Sequence, residues 1–374
     1  MSVPPTSQVQ SLIAQRIRPD VQAMHAYVVQ DSTGMVKLDA MENPHRLSPE
    51  LQAQLGQRLG AVALNRYPDG RIDDLRRALA HHAGLPAGYE LMLGNGSDEL
   101  ISLLALACAV PPSESHGQQK ACVLAPLPGF VMYAMSAQLQ GLDFCGVPLT
   151  ADFELDVPAM LAAIAQHRPA ITYLAYPNNP TANLWGDEAM EAVISAAGAV
   201  GGLVVIDEAY QPFATKSYLD RLTRHPHVLL LRTLSKFGLA GIRLGYLMGP
   251  QALIAQIDKV RPPYNVSVLN SEAALFALEH PEVFEAQAKD ICAQRAMLLE
   301  ALSGLSGVQV FPSQANMILL RVPDAAKTFE GMKARGVLVK NVSKMHFLLN
   351  QCLRLTVGTE PENRQMLAAL EASL

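Results

Sequence analysis

The sequence predicts an α/β protein: a large domain on a mostly parallel sheet, a smaller α+β domain after it, and an N-terminal arm before it. Short apolar runs alternate with longer amphipathic ones through the middle of the chain, as strands alternate with helices. Those runs are apolar at successive positions, which suits strands covered by helices on both faces. From about residue 281 the alternation gives way to one long helical pattern and then to closely spaced short strands.

Strands are expected at 121–124, 170–175, 203–206, 228–232 and 242–248, with helices at about 130–140 and 187–199. In the later part, a helix over 281–305 precedes strands at 308–311 and 317–322. Another helix leads to strands at 336–340 and 353–357, and a helix over 361–373 closes the chain. The expected divisions are an arm over 1–44, a large domain over 45–270 and a small one over 271–374. Pro4, Pro5 and Pro19 mark the arm as a segment that packs on another part of the molecule.

With 374 residues, half of them hydrophobic, the chain has enough apolar surface for a large core. Its 29 Lys and Arg against 34 Asp and Glu exclude a basic nucleic-acid surface. The five cysteines (Cys108, Cys122, Cys145, Cys292 and Cys352) are odd in number and lack C-x-x-C spacing, which suits reduced thiols in a cytoplasmic protein. No secretory leader pattern is visible, and no apolar run approaches the roughly 20 residues of a membrane span. The histidines lack metal-like spacing; His81, His82, His225 and His227 read as exposed helix and turn residues.

In open α/β sheets, ligands bind beyond the carboxyl ends of the strands. Four polar segments are expected there. Tyr176-Pro177-Asn178-Asn179-Pro180-Thr181 follows the strand at 170–175, and Asp207-Glu208-Ala209-Tyr210 follows the one at 203–206. Residues 233–243, with Thr233, Ser235, Lys236 and Arg243, follow the one at 228–232. Gly94-Asn95-Gly96-Ser97-Asp98-Glu99 opens an apolar helix. Taken singly, each has an ordinary structural meaning: a turn, a helix cap, a solvated strand end, a surface lysine. Together they converge on one sheet edge.

The chemistry of that set is specific. A helix start with small residues lets backbone N–H groups approach a phosphate, and Ser235 and Arg243 add a hydroxyl and a guanidinium. A carboxylate at the end of a buried strand can pair with a protonated ring nitrogen. A lysine in a partly dry cavity can attack an aldehyde. Phosphate, aldehyde, ring nitrogen and phenolic oxygen are the handles of pyridoxal 5′-phosphate.

Residues 235–246, reading S-K-x-G-L-A-G-x-R-x-G-Y, resemble the lysine motif of the fold-type I, class II aminotransferases. Further segments resemble the histidinol-phosphate aminotransferase family: Glu42-Asn43-Pro44, Arg66-Tyr67-Pro68-Asp69, residues 94–99, 336–339 and 353–359. The likeness runs from about residue 20 to 370. It implies a homodimer in which Lys236 anchors the cofactor and moves the substrate proton. It also implies that Asp207 pairs with the ring nitrogen, Tyr210 and Asn179 hold the phenolic oxygen, and Phe130 stacks on the ring. Ser97, Asp98, Thr233, Ser235 and Arg243 would hold the phosphate, joined by Tyr67 of the neighbouring subunit. Tyr27, Asn43, Lys340 and Arg354 would bind substrate.

The sequence departs from the family pattern at three places. Ala182 stands where a glycine is usual, Gly129 removes a hydroxyl beside Phe130, and Lys340 replaces a second arginine. The implied reaction is amino transfer from L-histidinol phosphate to 2-oxoglutarate, with an aromatic or broad-specificity amino-acid aminotransferase as the alternative. A phosphothreonine-type decarboxylase is more distant, since fold does not settle reaction. A cofactor-binding regulator would need a DNA-binding segment that the first forty residues do not resemble.

Overall fold

The computed structural model describes residues 6–24, 29–68, 71–108 and 120–374. The segment up to Thr33 is a unit of its own, with helices Thr6–Arg16 and Pro19–Gln22. Tyr27 and Asp69 lie outside the described residues.

The second unit, Gly34–Leu374, contains the strands β1 (Val36–Lys37), β2 (Tyr89–Asn95), β3 (Cys122–Leu127), β4 (Asp143–Pro148), β5 (Ile171–Ala175), β6 (Leu203–Asp207), β7 (Val228–Thr233) and β8 (Leu244–Pro250). Five more follow: β9 (Gln309–Val310), β10 (Met317–Arg321), β11 (Val337–Leu338), β12 (Lys340–Asn341) and β13 (Cys352–Thr356). A seven-stranded sheet runs β2-β8-β7-β6-β5-β3-β4, and a four-stranded one runs β12-β13-β10-β9. β1 pairs in parallel with β11.

The large sheet is parallel except at β8, which is antiparallel to both β7 and β2. The carboxyl ends of β2, β3, β5, β6 and β7 therefore lie along one edge, and the amino end of β8 joins them. Both faces are covered. Val204, Ile206, Val228 and Leu230 enter one apolar core, while Val205, Leu229 and Leu231 enter another on the opposite face. This two-residue alternation explains why the strands read as continuous apolar runs. A third core forms on the small sheet around Ile318, Leu320, Leu353 and Leu355.

Several expectations are corrected in detail. β2 and β4 are strands that the sequence pattern does not predict, because Glu90 interrupts one and Gly146 and Pro148 interrupt the other. The strand expected at 242–248 begins at Leu244, since Arg243 turns with a φ of 49°. The strand expected at 336–340 is two short ones in different sheets, β11 with β1 and β12 with β13. His225 and His227 are half-buried rather than exposed. The His225 ring meets Glu191 at 2.8 Å, and the His227 ring meets the Ile194 carbonyl at 3.0 Å. Among the described residues, no helix is long and apolar enough to cross a membrane.

Alternation also settles the two acids at the end of β6. Asp207 continues the Val205 face, so Glu208 falls on the other side beside Arg232, which continues the Leu230 face. Arg232 meets Glu208 at 2.8 Å with both side chains buried, and Ser217 donates to the same carboxylate at 3.0 Å. Removing one partner of such a pair leaves an uncompensated buried charge. Glu208→Ala should therefore lower the unfolding free energy by about 3–5 kcal/mol, measured by urea denaturation. A loss under about 1 kcal/mol would show that this pair does not anchor the strand end.

Candidate active site

One cavity opens at the shared strand edge. Its wall includes Ser97, Asp98, Phe130, Asn179, Asp207, Tyr210, Thr233, Ser235, Lys236 and Arg243, together with Met41 and Tyr133. Each segment arrives by its own element. Ser97 and Asp98 begin the helix Ser97–Ala107 directly after β2. Phe130 precedes the helix Val131–Gln140, and Asn179 lies in the turn after β5. Ser235 and Lys236 open a short helical turn after β7 that is broken at Gly238, whose φ is 142°.

Asp207 is buried and accepts a hydrogen bond from the Tyr133 hydroxyl at 2.7 Å and another from the Ala209 N–H at 3.0 Å. Burial pushes its carboxyl pKa up to about 6, while those two donors act in the opposite sense. Both donors are neutral, so the carboxylate has no cationic partner in this bonding arrangement. Tyr133 is itself stacked on Tyr173, ring centroids 4.3 Å apart, and meets Phe130 edge-on.

Lys236 lies opposite. Its ammonium donates to the Ala40 carbonyl at 3.1 Å. Burial, then the positive charge of Arg354, lowers its pKa to about 8. The amine is thus far closer to its neutral, nucleophilic form at pH 7 than an exposed lysine. Asn179 donates to the Tyr210 hydroxyl at 3.1 Å and accepts from Arg354 at 2.8 Å. A second Arg354 nitrogen reaches the Asp39 carbonyl at 2.8 Å.

The start of the helix at Ser97 fits an anion. Thr233 donates to the Ser235 hydroxyl at 3.0 Å, and Arg243 meets Asp98 at 3.0 Å. Two glycines keep this corner open. Gly96 has a φ of 79°, and a Cβ there would lie 2.7 Å from the Arg243 guanidinium. A Cβ on Gly245 would lie 2.6 Å from the Ser97 nitrogen. The backbone N–H groups, hydroxyls and guanidinium suit a phosphate, and the buried carboxylate and the lysine across the cavity suit a ring nitrogen and an aldehyde. The residues fit pyridoxal 5′-phosphate.

Other expected site residues stand apart from this wall. Lys340 pairs with Arg354 across β12 and β13, so both side chains share one face of the small sheet. Asn43 donates to the Phe237 carbonyl at 3.2 Å and to Gln287 at 2.9 Å, which ties its segment to the lysine turn. Tyr67 is 76% exposed, stacks on Tyr264 and is not part of its own chain's cavity wall. Sequence reasoning missed Tyr133, Met41 and the carbonyls of Asp39 and Ala40. Tyr133 carried a signal: it follows Phe130 by three residues at a helix start, so the two point to one side.

The model of the aminotransferase class I and II family matches residues 33–370. The chain is 70% identical over 370 residues to the histidinol-phosphate aminotransferase of Polaromonas naphthalenivorans, covering 99% of each. It is 69% identical to that of Methylibium petroleiphilum, covering 97% of this chain and 95% of the relative. The crystal structure of histidinol-phosphate aminotransferase from Sinorhizobium meliloti in complex with pyridoxal 5′-phosphate superposes with a TM-score of 0.79. That structure is 25% identical, and the match covers 95% of this chain and 96% of the other. Matched by the family model over nearly its whole length, and with the lysine, the buried aspartate and the anion cradle gathered at one sheet edge, this chain belongs to the class I and II aminotransferases.

Proposed function

We propose that this chain transfers the amino group of L-histidinol phosphate to 2-oxoglutarate, giving imidazole acetol phosphate and L-glutamate, a step of histidine biosynthesis. The observation that carries the reading is the cavity lined by both Lys236 and Asp207, in a chain so similar to named histidinol-phosphate aminotransferases. Pyridoxal 5′-phosphate, when bound, supplies an aldehyde carbon for the exchange of amino groups and a ring that takes up negative charge from the substrate carbon.

The protein's own residues do the rest. Lys236 would hold the aldehyde carbon, and its amine would hold and move the proton at the reacting carbon. Asp207 accepts a hydrogen bond from the ring nitrogen and keeps it protonated. Tyr210 and Asn179 bond the phenolic oxygen, and Phe130 covers the ring. Ser97, Asp98, Thr233, Ser235 and Arg243 hold the cofactor phosphate. Arg354 and Lys340 receive the substrate anions: the phosphate ester in one half-reaction and a carboxylate of 2-oxoglutarate in the other.

The working assembly in this reading is a cytoplasmic homodimer in which Tyr67 serves the partner's cofactor phosphate. The exposure of Tyr67 and its absence from its own chain's cavity wall support that role. The chain would divide into an arm over 1–44, a large domain over 45–270 and a small one over 271–374. The seven-stranded sheet within 89–250 and the four-stranded one within 309–356 support that division.

Borohydride reduction of the cofactor-loaded protein should attach the cofactor to Lys236, read by peptide mass spectrometry. Because the amine must lose a proton to react, cofactor capture by the apoprotein should speed up as pH rises towards about 8 and level off above it. Attachment to another lysine would overturn the assignment.

Tyr133→Phe removes a donor that favours the charged form of Asp207, so the carboxyl pKa should rise further. Cofactor affinity, titrated by fluorescence, should then fall off at a pH about one to two units higher than in the wild type. Superimposable profiles would show that the bond does not tune the carboxylate.

Mixing Tyr67→Phe with Lys236→Ala subunits should yield heterodimers with one doubly defective site and one intact site. Activity above that of either parent is expected after subunit exchange. A fully active monomer in sedimentation would exclude the shared site.

A further inference from the structure

Met41 lines the cavity, and the reaction outlined above gives it no part. Its backbone has a φ of 51°, in the left-handed region where an L-residue with a long side chain is strained and glycine or asparagine is favoured. Such an outlier persists only where its surroundings impose it, and here they do. The Met41 N–H donates to the Thr356 hydroxyl at 3.0 Å, and the Asn316 side chain donates to the Met41 carbonyl at 2.9 Å. Thr356 ends β13 and Asn316 immediately precedes β10, so the small sheet holds the kink from both sides.

The same short segment touches both working cations, since the Asp39 carbonyl takes Arg354 and the Ala40 carbonyl takes Lys236. The next residue, Met41, lines the cavity where it adjoins the core of the small sheet and is only 8% exposed. Most of the residues that line the cavity carry polar groups, and most of its apolar members are stiff rings or small groups such as Phe130, Pro177, Ala175 and Ala209. Met41 is the flexible apolar member of the wall.

We propose that Met41 is a specificity-determining residue whose thioether packs against the flat heteroaromatic group of the amino donor. The inference rests on the histidinol-phosphate reading. An unbranched, polarisable thioether adapts to a ring and makes favourable contacts at its edge. A donor that placed a carboxylate at the same spot would leave that charge desolvated against a group that cannot pair with it. The strained backbone is what aims the side chain; the side chain is what discriminates.

The test compares wild type, Met41→Ala, Met41→Leu and Met41→Asn. Single-turnover kcat/KM is measured for L-histidinol phosphate and for L-glutamate. Calorimetry on the cofactor-loaded protein measures binding of 3-(imidazol-4-yl)propyl phosphate, which has the ring and the phosphate but no amine to react. In Met41→Ala the ratio of kcat/KM for histidinol phosphate to that for glutamate should fall about tenfold, with a similar loss in analogue affinity. Met41→Leu should recover most of the loss, because it restores the apolar bulk. Met41→Asn relieves the backbone but removes that bulk, so it should behave like Met41→Ala.

Equal losses with both donors, or full selectivity in Met41→Asn, would assign the residue to folding alone and overturn the proposal. A wild type that discriminates as expected while Met41→Ala keeps the same ratio would overturn only the role of Met41. A wild type that neither converts histidinol phosphate nor binds the analogue would overturn the parent reading as well.

Discussion

A carboxylate buried among apolar side chains is costly unless its charge is answered, and the arrangement of the large sheet turns on how two such groups are answered at one strand end. The strand β6 delivers Asp207, and the next residue is Glu208. Side chains alternate across the sheet, so the two acids are forced onto opposite faces. Glu208 meets Arg232 and is neutralised by a cation; its task is to hold the strand end. Asp207 is met only by neutral donors, the Tyr133 hydroxyl and the Ala209 N–H. It keeps its negative charge for a ligand, and a protonated ring nitrogen answers that requirement.

The opposite wall of the cavity is organised by repulsion. Lys236 lines the cavity, Arg354 bonds Asn179 of its wall, and the charge of Arg354 adds to burial in lowering the lysine's pKa. Two adjacent carbonyls, of Asp39 and Ala40, hold these cations at their places. A segment far from both in sequence thereby sets the distance between Lys236 and Arg354. Its conformation is in turn imposed by Thr356 and Asn316. The small sheet thus reaches the chemistry through backbone atoms as well as through Arg354.

The anion corner depends on space more than on charge. Gly96 and Gly245 leave room where any side chain would strike Arg243 or the Ser97 nitrogen. The first residues of the helix Ser97–Ala107 can then present their N–H groups to a phosphate. Arg243 is engaged with Asp98, and the guanidinium and the helix start form one unit.

Much of this was legible in the sequence. The strands β3, β5, β6 and β7 announce themselves because burial on both faces demands unbroken apolar runs, and the polar residues that end them stand out by contrast. Lys236, Asp207, Asn179, Tyr210 and Arg243 therefore stand out as a set in the sequence itself. The strands β2 and β4 were not, because Glu90, Gly146 and Pro148 interrupt their patterns at the ends or edges of a sheet, where burial is incomplete. Nor could the sequence announce contacts made across long separations. The bond from Tyr133 to Asp207, the carbonyls offered to Lys236 and Arg354, and the left-handed turn at Met41 each join segments tens to hundreds of residues apart. Local pattern reports what a residue needs from its immediate environment, burial or solvent, helix or strand. Which distant group satisfies that need is decided only when the sheets pack and the cavity closes.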